Sequence, residues 1–211
     1  MQLRYLICDT ETTGLIEPEA CEIAWIEVTP ELEVISEFHT LVCPPKPICC
    51  SAAGLHGIRD EDVMDSIRIT EVDFPVGEVC MIGHNVKFDV QILAPHLNIV
   101  STCDTLVLAR RMLANAPDHK LSTLSCYCEL QRQISHRAIY DCRTVLGLLD
   151  YLIEGSGYSL LDLIDYSNKP VKVDVMPWGK HRGLKLSELP VSYKLWLKGL
   201  DDLDMDLRHS L

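Results

Sequence analysis

The chain has 211 residues, 47% of them hydrophobic and 24% charged, with ten cysteines and a formal net charge of −12. That length suits one full domain plus a small appendage; no run of eighteen apolar residues exists, which excludes a membrane-spanning helix, and Met1–Cys8 runs too soon into acidic residues for a signal peptide. The cysteines are scattered without a Cys-x-x-Cys, which excludes the disulfide framework of short secreted chains. The expectation is a cytoplasmic protein with free thiols. His39, Cys43, Cys49, Cys50 and His56 match no familiar zinc spacing.

In chain order, residues 5–8 are continuously apolar and predict a strand buried on both faces that ends at Asp9. Ile23–Val28 and Val34–Val42, rich in Ile, Val, Trp and Phe, predict two more strands. They stop at Thr29-Pro30 and Pro44-Pro45, which suggests an antiparallel meander. Irregular chain is expected from Pro47 to Gly57, then a short helix capped by Asp60. Val79–Ile82 predicts a second buried strand closed by Gly83, followed by a helix from near Val86 that stops before Pro95. Ile99–Cys103 predicts a strand, and Asp104 caps a helix through Met112. Leu121–Leu130 and Ala138–Ile153 show helical spacing of apolar residues. Gly155-Ser156-Gly157 interrupts the last of these, and Ser159 caps a short helix through Tyr166. A meander followed by alternating strands and helices predicts an α/β fold, a mixed sheet flanked by helices.

From about Val171 the texture changes. Residues 1–170 carry a net charge of −13, whereas 171–200 hold six Lys and Arg against two acids. This stretch contains the basic turn Trp178-Gly179-Lys180-His181-Arg182-Gly183, then Tyr193 and Trp196 on a short helix after Pro190. Residues 1–168 are expected to form one domain and 169–211 a small basic, Trp-containing C-terminal module. The aromatics and cations of the tail fit either nucleic-acid contact or a small appendage that packs its tryptophans internally.

Five residues suggest chemistry. Asp9 and Glu11 lie two apart at a strand end, so both carboxylates face the same way. Two such acids beside a buried strand are costly unless a divalent cation compensates. Asp89, in Gly83-His84-Asn85-Val86-Lys87-Phe88-Asp89, is expected on the first helical turn at the carboxyl edge of the sheet, where open α/β sheets bind ligands. Asp141 belongs to the helix from Ala138, and His136 precedes that helix in its entry loop. An imidazole, which titrates near ~6.5 when unperturbed, suits a proton acceptor. Each residue alone has an ordinary structural explanation; their order and placement do not.

Cys8-Asp9-Thr10-Glu11-Thr12-Thr13-Gly14-Leu15, Gly83-His84-Asn85-x-x-Phe88-Asp89 and His136-Arg137-Ala138-x-x-Asp141 resemble the three motifs of the DEDD exonuclease superfamily, in its histidine (DEDDh) subclass. The tyrosine subclass would carry Tyr at 137, where Arg137 stands. Leu55-His56-Gly57-Ile58 followed by Asp62-Val63 resembles a further landmark, and the resemblance covers roughly residues 3–168. Pro177–Gly183 with Leu189-Pro190 and Tyr193–Leu197 resembles the Gly-Lys-x-x-Gly module of exodeoxyribonuclease X-type enzymes.

The resemblance implies an RNase H-like mixed five-stranded sheet and two Mg²⁺ or Mn²⁺ ions roughly 3.5–4 Å apart, held by Asp9, Glu11, Asp89 and Asp141. Asp9 would bridge the ions and His136 would be the general base, with 5′-mononucleotides released from 3′ ends. It also implies substrate contacts from Thr12, Thr13, Gly14, Leu15, His84, Asn85 and Phe88. Read from the residues alone, Gly14 is equally a turn glycine, Leu15 a core residue and His84 a strand cap. The expected partner is DNA, single-stranded at its 3′ end or duplex. RNA trimming, a proofreading subunit of a polymerase and a non-catalytic nucleic-acid-binding module are the alternatives.

Overall fold

The computed structural model describes residues 3–131, 133 and 136–211. The chain divides into two compact units, Met1–Tyr166 and Ser167–Leu211. The first is built on a five-stranded sheet of order β3-β2-β1-β4-β5. Its strands are β1 (Arg4–Thr12), β2 (Ala20–Val28), β3 (Val34–Leu41), β4 (Glu78–Gly83) and β5 (Asn98–Asp104). β1, β2 and β3 pair antiparallel, and β1, β4 and β5 pair parallel, giving the mixed α/β sheet of an RNase H-like fold.

Alternation along the strands explains how one sheet feeds two cores. Leu6, Cys8, Ile23, Trp25, Val79 and Met81 point to one face. Ile7, Ala24, Ile26, Cys80 and Ile82 point to the other. Both sides are covered, so β1 and β4 read as continuous apolar runs rather than alternating ones. The first face receives Ile92 and Leu93 of α3 (Lys87–Leu93). The second receives α4 (Thr105–Met112), α5 (Leu121–Tyr127) and Ala138, Cys142, Val145, Leu148 and Leu149 of α6 (Ala138–Ser156). Asp9 and Glu11 continue the Ile7 row and Glu22 continues the Ala24 row, so all three acids emerge on the α6 side.

Several boundaries differ from expectation. β1 runs to Thr12, because pairing with β2 continues through Glu11–Glu22 and then shifts at Thr12. Residues expected to be irregular form α1 (Cys50–His56), closed by Gly57 in the left-handed region at φ 75°. Asp60 is not the cap of α2 (Asp60–Val63): Arg59 occupies that position, and the Asp60 carboxylate accepts from the Ile48 N–H at 2.9 Å. α5 is shorter than Leu121–Leu130, and α6 passes through Gly155 to a left-handed Gly157. Ser159 and Asp162 cap each other's backbone N–H at the start of α7 (Leu160–Asn168).

The second unit has its own apolar centre of Met176, Leu186, Leu189, Leu197, Leu203 and Leu207. α8 (Val191–Lys198) supplies Leu197 and α9 (Met205–Ser210) supplies Leu207, with Leu203 in the connection between them. Its one buried acid, Asp206, accepts from the Val171 N–H at 2.8 Å.

Candidate active site

The carboxyl edge of β1, β4 and β5 gathers the acids. Glu11 is buried on β1, and a donor atom each of Glu11, His136 and Asp141 lie within 4.8 Å of one another. Asp89, buried in the first turn of α3, accepts through Oδ1 from both the backbone N–H of Thr10 (2.9 Å) and its hydroxyl (2.7 Å). That grip fixes α3 against β1 and engages one carboxylate oxygen. The Asp141 carboxylate accepts from the His136 N–H at 3.0 Å, closing the turn that enters α6.

These carboxylates raise one another's pKa. Burial first, then Asp89, Asp141 and Glu11, hold the Asp9 carboxyl well above its usual range. Burial, Asp141 and Glu22 push Glu11 up to about 8. Burial likewise raises Asp89 to about 7, against the opposing effect of the Thr10 hydrogen bonds, and Asp141 to about 6. Acids packed so closely remain ionised at neutral pH only with compensating positive charge. Arg137, whose charge reaches Glu11, is already bonded to Glu22. Oxygen donors around a charge deficit suit a hard divalent cation, and an imidazole beside them is in reach of any water such an ion would hold.

Sequence reasoning passed over three residues that build this arrangement. Glu22 is fully buried on β2 opposite Glu11. Its carboxylate accepts from Arg137 Nε at 3.1 Å, from Arg137 Nη2 at 2.7 Å and from the Ala138 N–H at 3.0 Å. The bidentate pair and the helix N-terminus together tie the start of α6 to the sheet. His136 immediately precedes this clamp with φ 61°, the left-handed region, a conformation costing on the order of 1 kcal/mol that surrounding contacts must hold. An acid on the row of β2 that faces α6, where Ala24 and Ile26 are its apolar neighbours, was the available signal. His56 is the third: Nδ1 accepts from the Ile58 N–H at 3.0 Å, so Nε2 carries the proton and donates to the Thr12 carbonyl at 3.2 Å. Burial lowers its pKa and keeps it neutral there.

The expected substrate contacts separate into two groups. Thr12, which ends β1, and Thr13, which follows it, are buried, and the Thr13 hydroxyl accepts from the Glu19 N–H at 3.2 Å. Gly14 has φ 147°, and a Cβ there would lie 2.9 Å from Cys49 Sγ, so the turn requires glycine. Leu15 and Ile16 then stand 87% and 85% exposed. Asn85 is also exposed, at φ 67°, its N–H held by Asp104 at 2.9 Å. His84 faces inward: Nε2 donates to the His119 carbonyl at 2.8 Å and Nδ1 meets the Thr105 hydroxyl at 3.0 Å. Phe88 packs against the core beneath α3. His84 thus has both ring nitrogens engaged within the fold, and Phe88 is half-buried.

Known proteins share this sequence pattern and fold. Residues 6–149 match the family described as Exonuclease (RNase_T). Exodeoxyribonuclease 10 of Escherichia coli strain K12 is 30% identical over 217 aligned residues, covering 97% of this chain and 96% of its own length. A PolC-type DNA polymerase III of Bacillus subtilis strain 168 is 29% identical over 69% of this chain but only 11% of its own length. Among solved structures, exonuclease X in complex with 5′ overhanging duplex DNA superposes with a TM-score of 0.66 at 28% identity, over 79% of this chain and all of that one. The zinc-bound E. coli ExoI–ssDNA complex, at 20% identity and a TM-score of 0.65 over 77% of this chain and 42% of that one, shares the fold. With the family match spanning the sheet, both cores and the acid cluster, this chain belongs to the exonuclease family and is a nuclease of the hydrolase class.

Proposed function

We propose that the protein is a divalent-metal-dependent 3′→5′ exodeoxyribonuclease that releases 5′-mononucleotides from DNA 3′ ends. The carrying observation is the convergence of Asp9, Glu11, Asp89 and Asp141 with His136 on one sheet edge, in a carboxylate cluster whose charge calls for cations. Residues 1–168 are read as the catalytic domain and 169–211 as its accessory module. The DNA assignment is favoured by the full-length similarity to an exodeoxyribonuclease, which extends through the tail.

In this reading Asp9, Glu11, Asp89 and Asp141 hold two Mg²⁺ or Mn²⁺ ions, which when bound supply Lewis acidity and neutralise charge developing on the scissile phosphate. His136 takes the proton from the attacking water. Its backbone is fixed by Asp141 on one side and by the Arg137–Glu22 pair on the other. Thr12, Thr13 and Gly14 form the floor beneath the 3′-terminal nucleotide. Leu15 and Asn85, exposed at the rim, meet its base and the adjacent backbone.

The test is incubation with Mg²⁺ or Mn²⁺ and single-stranded DNA, duplex DNA and RNA, each labelled at either end. Stepwise shortening of DNA from the 3′ end is expected. Preferential shortening of RNA would replace the DNA assignment, and loss from the 5′ end would overturn the polarity.

A further inference from the structure

The two tryptophans of the C-terminal unit occupy opposite environments. Trp178 packs against the apolar centre, and its Nε1 is buried with no hydrogen-bond partner among the described residues. Trp196 stands 53% exposed on α8, although its neighbour Leu197 is fully buried. The centre is complete without Trp196, so this indole ring has been left in water.

Its surroundings form one surface. The rings of Tyr193 and Trp196 lie 5.2 Å apart at 32°, and His181 meets Tyr193 edge-on at 4.5 Å. The Gly179–His181 turn lies against this row, since a Cβ on Gly179 would sit 3.9 Å from Tyr193 Oη. Lys180 in that turn is exposed. Residues 171–200 carry six Lys and Arg against two acids in a chain whose net charge is −12.

We infer that this face of the C-terminal unit is a binding surface for single-stranded DNA, with Trp196 and Tyr193 as the base-stacking platform and Lys180 as a phosphate contact. Charge selects a polyanion, and an exposed ring selects one whose bases are free to stack. A duplex keeps its base faces covered and offers such a ring nothing beyond its ends. The surface deepens the exonuclease reading and rests on it only for the choice of DNA. It gives an otherwise acidic protein a second, metal-independent hold on the strand being shortened.

The experiment uses the full chain carrying Asp9→Ala, so that DNA stays intact, and follows fluorescence anisotropy of a labelled oligothymidylate of about 15 nucleotides. Adding Trp196→Ala should weaken binding about five- to hundredfold, the range for losing one stacked base. Trp196→Phe should retain most of the affinity, and blunt duplex should bind equally with or without the change. Lys180→Ala should reduce the slope of log affinity against log salt by about 0.7. With the acids intact, Trp196→Ala should raise KM on long strands while leaving kcat and the hydrolysis of a dinucleotide unchanged. Oligothymidylate affinity within twofold of the parent in Trp196→Ala overturns the inference. So does a shift from dimer to monomer on that substitution with binding unchanged, which would make the face a contact between copies. Because anisotropy needs no cleavage, an inactive nuclease would refute the catalytic reading and leave this one to its own result.

Discussion

The two units spend their polar residues in opposite ways. The first buries Glu11, Glu22 and Asp89 within a sheet edge. The second buries one acid, Asp206, engages it with the Val171 N–H, and leaves Trp196 and Lys180 outside. A buried charge must find a partner, and the identity of that partner separates structure from chemistry. Glu22 has Arg137 and a helix N-terminus, and Asp206 has backbone, so both are part of the scaffold. Asp9 and Glu11, by contrast, lie among further carboxylates that raise their pKa, which favours a site completed by ions.

Removing one of those acids should produce the largest effect. Asp9→Ala is expected to lower the rate of nucleotide release on the order of 10³-fold or more, since ion-supplied charge stabilisation amounts to several kcal/mol. The same substitution should raise the melting temperature of the metal-free protein, because the remaining carboxylates lose a repelling neighbour. Retained activity would refute the metal assignment. An unchanged or lower metal-free melting temperature would show that these acids are not under mutual strain.

Next comes the scaffold acid, where the sign reverses. Arg137→Ala leaves the Glu22 carboxylate buried without its counter-ion and should cost about 2 kcal/mol in denaturant unfolding, less than a fully buried pair because the arginine is 40% exposed and Glu22 keeps the Ala138 N–H. Arg137→Lys keeps a charge but not the bidentate geometry, and should cost less while still lowering kcat with KM unchanged. If the pair acts by positioning His136, the kcat loss from Arg137→Lys should vanish in a His136→Ala background. An equal loss in both backgrounds would leave the pair a purely structural tie.

The five candidate residues were readable through their order and their placement at a strand end, a first helical turn and a helix entry, which together resemble one motif set although each alone reads as ordinary structure. The sheet was readable because β1 and β4 are buried on both faces and β2 is bounded by turn residues. Glu22 and Arg137 stayed hidden for a physical reason: their meaning is a contact between residues 115 positions apart, which no local pattern encodes. His84 and Phe88 were read as substrate contacts because they sit inside a functional motif, yet His84 spends both ring nitrogens on the fold. The helix Cys50–His56 was missed because Gly54 and the nearby prolines read as loop. Its left-handed closure at Gly57 depends on residues already in helical register.

A smaller effect tests the strain among the acids without mutation. Glu11, Asp89 and Asp141 have folded-state pKa values near 8, 7 and 6, above the ~4 of free carboxyls. Raised acid pKa values favour the folded state fully below ~4, and that contribution is lost as pH climbs through the folded values. The metal-free protein should therefore melt at progressively lower temperature between about pH 4 and pH 8. Mn²⁺ binds the ionised carboxylates and releases protons, so its stabilisation should be larger at about pH 8 than at about pH 5. A metal-free melting temperature that rises across this window would show that the acids are paired within the protein after all.

The smallest expected effect bears on the other side of the comparison. Trp178 and Trp196 are chemically identical, so substituting each measures environment alone. Trp178→Ala removes a ring packed on Met176, Leu186 and their neighbours and should cost about 3 kcal/mol, the low end for a large core truncation because the ring is only partly buried. Trp196→Ala removes a ring that the core does not use and should change stability by no more than about 0.5 kcal/mol. A residue that contributes nothing to folding and exposes a large indole to water is retained at a cost in solubility. Equal losses from the two substitutions would mean that Trp196 is covered in the folded protein, and the stacking surface would then have no free ring to offer.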